Sequence, residues 1–146
     1  MKKYLLICLA GATMSGPVLA RNMEYKLNFS DVLASVEAKA KLDQSVTFRF
    51  GENTTPDGAQ RKGDRVIKRA GKGEDRNDDL VACDRAALSA LVFLQQEAKK
   101  VSADAVVEIV SYYKNIVFSS STSFECHAGN GGATVVLKAV YVTLPK

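Results

Sequence analysis

The chain has 146 residues, 47% hydrophobic and 25% charged, with 20 Lys and Arg against 16 Asp and Glu and a single histidine. That is the material of one ordinary domain whose apolar core needs no metal clip, and it leaves no room for a multidomain machine. Basic residues are not laid out as a stripe with interleaved aromatics, which excludes nucleic acid as a partner.

Residues 1–20 read as a secretory signal peptide, removed in the mature protein. Lys2 and Lys3 form a positive head, and the apolar run that follows is too short to span a hydrocarbon core of ~30 Å. Gly16 and Pro17 break the helix, and Val18-Leu19-Ala20 places small or slim groups before a cut at Arg21. Cys8 lies inside the apolar run after Ile7, so it is no lipid-attachment cysteine and leaves with the signal. What remains, 21–146, is expected to be a single periplasmic domain, close to neutral once Lys2 and Lys3 are gone, with no transmembrane segment.

Residues 21–29 give a mixed signal. Ser30 reads as the N-cap of a short helix over 31–42, with Phe29, Val32, Leu33 and Val36 on one side. Residues 44–50 alternate with period two, Val46, Phe48 and Phe50 against Thr47 and Arg49, as a half-buried strand does. Turn residues fill 51–64, a short strand is expected over 65–69, and 70–77 is a polar loop. A long helix is predicted from Asn77, Asp78 or Asp79 to Lys100, with Leu80, Cys83, Ala87, Leu91, Leu94 and Ala98 inward and Arg85, Ser89, Gln96 and Lys100 outward. Strands over 104–114, 116–126 and 134–144 complete the chain, joined by turns at Lys114-Asn115 and at 129–132. The expected fold class is α+β: a long helix packed on a small, mostly antiparallel sheet ending in a three-stranded meander, plus a short N-terminal helix.

The mature chain keeps two cysteines, Cys83 and Cys126. In an oxidising compartment a disulfide is the expected state, with two separate buried thiols as the alternative. Closing that loop would contribute up to about 4 kcal/mol through the unfolded chain.

Chemistry-bearing patterns are few. Cys126-His127 offers a thiol beside an imidazole, but neighbours on a strand point to opposite faces. The acidic run from Asp75 to Asp79 begins like a calcium loop, yet Leu80 and Ala86 stand where that loop needs Gly and Glu. Gly71-Lys72-Gly73 lacks the order of a phosphate loop. No catalytic, cofactor-binding or metal-ligating residue is therefore assigned. With the helix covering one sheet face, the other is expected to be polar, with a candidate partner surface on Tyr112 or Tyr113 and on Ser119, Ser121 and Ser123, and without a deep pocket at His127.

Ala82-Cys83, Ser89-Ala90-Leu91, Ala105-Val106-Val107, the run from Ile109 to Lys114 and Phe124-Glu125-Cys126-His127-Ala128-Gly129 resemble a family of small exported proteobacterial proteins that carries the label "excinuclease ATPase subunit". Phe48-Arg49-Phe50-Gly51 resembles an earlier strand of the same family, and the likeness covers most of 31–144. The chain holds neither nucleotide-binding motifs nor zinc-binding cysteine pairs, so the resemblance implies fold and export and not ATP hydrolysis. A long helix followed by Ala103-Asp104-Ala105-Val106-Val107 is also distantly similar to the family named for a heavy-metal-binding domain and to the sensor lipoproteins of the Rcs envelope-stress relay. These imply a compact α+β domain, disulfide-stabilised in the sensors, and carry over no catalytic residue. The expectation is a non-catalytic periplasmic binding module with an envelope protein as partner and no cofactor. The rivals are a thiol enzyme using Cys126 and His127, and a metal-handling protein using the acidic loop with His127.

Overall fold

The computed structural model describes residues 20–75 and 77–146; most of the segment read as a signal peptide, residues 1–19, lies outside the described residues, as does Arg76. The order is β1 (Met23–Asn28), α1 (Phe29–Ala34), α2 (Val36–Lys41), β2 (Thr47–Phe50), β3 (Gln60–Gly71), α3 (Asp79–Lys100), β4 (Ala105–Ser111), a 3-10 turn (Tyr113–Asn115), β5 (Ser123–Gly129) and β6 (Gly132–Thr143). It is an α+β domain.

All six strands share one sheet, organised by β6. β3 runs antiparallel along β6 from Gly71↔Ala133 to Gln60↔Thr143. On the other edge of β6 the sheet forks. Its first residues pair with β5, which carries β1, and its later ones pair with β4, which carries the parallel β2. Ser111 closes the fork, its hydroxyl accepting the Glu125 N–H at 2.8 Å. The last three strands are thus not a consecutive meander, because β6 inserts between β4 and β5.

α3 lies across the inner face. Ala82, Ala86, Ala87, Ala90 and Ala98 keep its buried side thin, and Leu91 and Leu94 fill the layer beneath. The approach is close: a Cβ at Gly71 would sit 2.0 Å from the Ala82 carbonyl oxygen. Leu80, expected on the apolar face, is instead 53% exposed, since Asp79, Ala82 and Cys83 are the residues that the first turn of α3 turns inward. Cys83 bonds to Cys126 across this layer, with Cα atoms 5.8 Å apart. Phe29 stacks on Phe50 at 3.9 Å and meets Phe124 at 5.0 Å, tying α1 to both arms of the fork.

Three expected elements and one helix cap differ from the sequence reading. The helix over 31–42 is two helices, since Ser35 is extended (φ −62°, ψ 151°) and caps α2, its hydroxyl accepting the Ala38 N–H at 3.1 Å. Ser30 is not the cap; Asn28 holds that position for α1. The strand over 65–69 is the twelve-residue β3, whose turn-like Gly63 is absorbed at a register shift against β6. The strand over 116–126 begins only at Ser123, because the Ser120 hydroxyl accepts the N–H groups of Thr122 and Ser123 and holds the chain in a local turn. The 129–132 turn is as expected, Gly129 pairing with Gly132.

Candidate functional site

The outer face of the sheet, away from α3, divides into two parts. At one end Ala105, Val107, Val140 and Val142 form a small apolar cluster under Ala59 and Leu144. At the other end the β1–β5 pair presents charge. The antiparallel register sets Glu24 opposite His127 and Lys26 opposite Glu125. Period two puts Glu125 and His127 on one face and turns Phe124, Cys126 and Ala128 inward.

Glu24, Glu125 and His127 each offer one ligand atom, and these atoms lie within 4.8 Å of one another. Tyr113 stacks flat on the imidazole, with ring centroids 3.5 Å apart and planes 14° apart. It is delivered there by a turn in which Lys114 (φ 51°) and Asn115 (φ 64°) are left-handed. Asn22, Lys114 and Ile116 complete a hollow of about 300 Å³ around the three residues. Both imidazole nitrogens are buried and, among the described residues, have no hydrogen-bond partner. Burial pushes the His127 pKa down, Glu24 opposing it, so the ring is held neutral. Burial also pushes the Glu125 carboxyl up, and Glu24 beside it adds to the rise. Lys26 stands 4.0 Å from Glu24 with its ammonium over the Phe118 ring.

A second polar cluster lies at the start of α3. Asp79 is buried, pairs with Arg21 and accepts the Tyr25 hydroxyl at 2.7 Å. That hydrogen bond, before burial, raises the Tyr25 pKa. The group fastens β1 to α3. Asp75 and Asp78 border a hollow of about 330 Å³ beside it, but the Asp75 carboxylate accepts the Asn77 N–H at 2.8 Å and Asp79 is committed to Arg21 and Tyr25. Turn and anchor roles thus occupy the run that begins like a calcium loop.

The predicted residues separate on the structure. Cys126 is fully buried and bonded to Cys83, while His127 faces the opposite side of the sheet. Tyr113 lies on His127, whereas Tyr112 sits beside Lys138, whose ammonium is 5.3 Å from the ring. Ser119, Ser121 and Ser123 do not form one strand face. Ser119 accepts the Glu52 N–H at 2.9 Å, Ser121 is exposed in the connection, and only Ser123 belongs to β5. A hollow of about 300 Å³ lies at His127, where the sequence reading expected no deep pocket. Sequence reading missed Glu24 because the residues around it carry no clear pattern; the signal available was the alternation of Glu24 and Lys26 with Tyr25 and Leu27.

Comparison with family models, curated protein sequences and solved structures finds no match to this chain. The arrangement itself is what bears on function.

Proposed function

We propose that this is an exported, non-catalytic binding domain of the bacterial periplasm that receives its ligand on the outer sheet face around His127. The observation that carries the reading is the division of labour across the sheet. The disulfide locks the inner face under α3, whereas the outer face carries a polar hollow beneath a stacked aromatic. The bond also removes the Cys126 sulfur as a nucleophile and leaves it on the far side from the imidazole, which weighs against a thiol enzyme. A disulfide suits an oxidising compartment, and among the described residues no helix is long and apolar enough to cross a membrane. The resemblance of residues 105–114 and 124–129 to the exported proteobacterial family points the same way.

Two measurements test this. Intact mass of the protein from a periplasmic extract should show a chain starting at Arg21 with no free thiol; retention of the signal segment or a lipid adduct refutes export. The ¹⁵N-labelled mature domain is then mixed with small-molecule and macromolecular fractions of periplasm. Shifts centred on Tyr113, Glu125 and His127 support the reading. Shifts confined to α3, or none with either fraction, refute it.

A further inference from the structure

Neutral histidine on a protein surface usually satisfies its nitrogens with water or a neighbouring group. His127 has no neighbouring group for this among the described residues: both ring nitrogens are buried without a partner, and the Tyr113 ring lies flat on the imidazole. Leaving a polar group buried without a partner is unfavourable. Two carboxylates stand beside it, brought together by the register of β1 on β5, although like charges so placed repel. An imidazole with two carboxylates and no internal partner is a donor set waiting for a cation. We propose that Glu24, Glu125 and His127 bind a divalent transition metal of the zinc class, leaving at least one coordination position open to the adjoining hollow.

The geometry is close to sufficient. Donors of a tetrahedral zinc site stand about 3.4 Å apart, given bonds of about 2.1 Å. The three ligand atoms lie within 4.8 Å, so closure of up to about 1.4 Å is needed. Glu24 can supply it by side-chain rotation, since it is exposed and its ammonium neighbour is 4.0 Å away, too far for a tight hydrogen bond. The imidazole favours zinc, copper or nickel over calcium and magnesium, which prefer oxygen throughout. Three protein ligands with an open position describe a site able to take a further donor from a partner or small molecule.

The inference rests on the reading that the outer face is the binding surface, and the experiment separates the two. Tag-free mature protein with its disulfide intact is titrated with ZnCl₂ by calorimetry, and the His127 imidazole resonances are followed by NMR. One saturable Zn²⁺ per chain with a shift of the His127 ring is expected. His127→Ala should weaken binding by about 100-fold, the upper end of what losing even an outer partner of a metal site costs, and Glu24→Gln by about tenfold. Because Glu24 is exposed, the Glu24→Gln variant keeps the test open if His127→Ala does not fold. CaCl₂ should not compete. Absence of saturable Zn²⁺ binding, equal affinity in wild type and Glu24→Gln, or calcium binding as tightly as zinc would each overturn the proposal. If zinc fails while periplasmic fractions still shift Tyr113 and His127, the metal is wrong and the binding face stands; if both fail, both fall.

Discussion

The two faces of this sheet are built to different rules. Toward α3, side chains are small and closely packed, and the buried polar groups Asp79 and Gln95 both have partners: Gln95 accepts the Asp43 N–H at 3.1 Å. Toward the outside, backbone and side chains carry tension that the inner face avoids. Glu108 in β4 is left-handed (φ 52°) at a bulge, pinned by Thr54, whose hydroxyl accepts its N–H at 2.7 Å, and by Thr55, whose hydroxyl donates to its carboxylate at 2.7 Å. Lys114 and Asn115 are left-handed too, and His127 has no partner among the described residues. Unfavourable local choices of this kind persist where a site needs them and are offset by the rest of the fold. The inner face supplies stability, and the outer face spends some of it.

The comparison can be broken most strongly at the disulfide. Replacing Cys83 and Cys126 together by Ala releases a loop of 43 residues and should cost about 4 kcal/mol on the chain-entropy view. Urea unfolding should show the midpoint falling, while the His127 ring resonances of the still-folded variant stay where they are. Movement of those resonances would mean the two faces are coupled.

Next in size is Asp79→Ala. It strands Arg21 and the Tyr25 hydroxyl at the joint between β1 and α3, with an expected loss of about 2–3 kcal/mol for charge-assisted hydrogen bonds. Since β1 also carries Glu24, amide exchange should quicken along Met23–Asn28 before it does in β6. Uniform quickening would show that β1 is not separately anchored.

On the outer face the effects turn from stability to titration. Tyr113→Ala should cost about 1 kcal/mol, the worth of a stacked aromatic pair. Its clearer signature is pH dependence. Burial lowers the folded pKa of His127 below its ordinary 6.5, so the unfolded chain binds a proton first, and stability is lost as pH falls below about 6.5. Opening the ring to water by removing Tyr113 should move the His127 midpoint upward in an NMR titration and flatten that acid loss. An unchanged midpoint would show that Tyr113 does not shield the imidazole.

Much of the inner face was legible in the sequence, because helical periodicity from Cys83 to Ala98 and the cysteine pair both report burial directly. The outer site was not. His127 was singled out only beside Cys126, and Glu24 comes from a strand about a hundred residues earlier in the chain, so only the β1–β5 register unites Glu24, Glu125 and His127. Tyr113 was one of two tyrosines singled out and the turn at Lys114-Asn115 was legible, but nothing in the sequence showed that left-handed Lys114 and Asn115 lay the Tyr113 ring over the imidazole. The serine-rich stretch misled for a related reason: its hydroxyls bond to nearby backbone and end the alternation they seemed to extend.

The smallest expected effect probes an inner-face group that departs from the rule. Tyr141 lies in the core beneath α3, 3% exposed, and its hydroxyl, beside the Arg65 guanidinium, makes no hydrogen bond of ordinary geometry among the described residues. Burial, reinforced by the Glu97 carboxylate, pushes its phenol up to about 12. The unfolded chain therefore ionises near 10 while the folded one holds its proton, and stability drains away as pH rises from about 10 to about 12. Tyr141→Phe removes an unsatisfied oxygen and should be neutral or stabilising by up to about 1 kcal/mol at pH 7. It should also lack the alkaline loss, so the gap between variant and wild type widens above pH 10. Thermal melts at neutral and alkaline pH measure both. A Phe variant clearly less stable at pH 7 would mean the hydroxyl has a partner after all, and the inner face would then be polar-satisfied throughout.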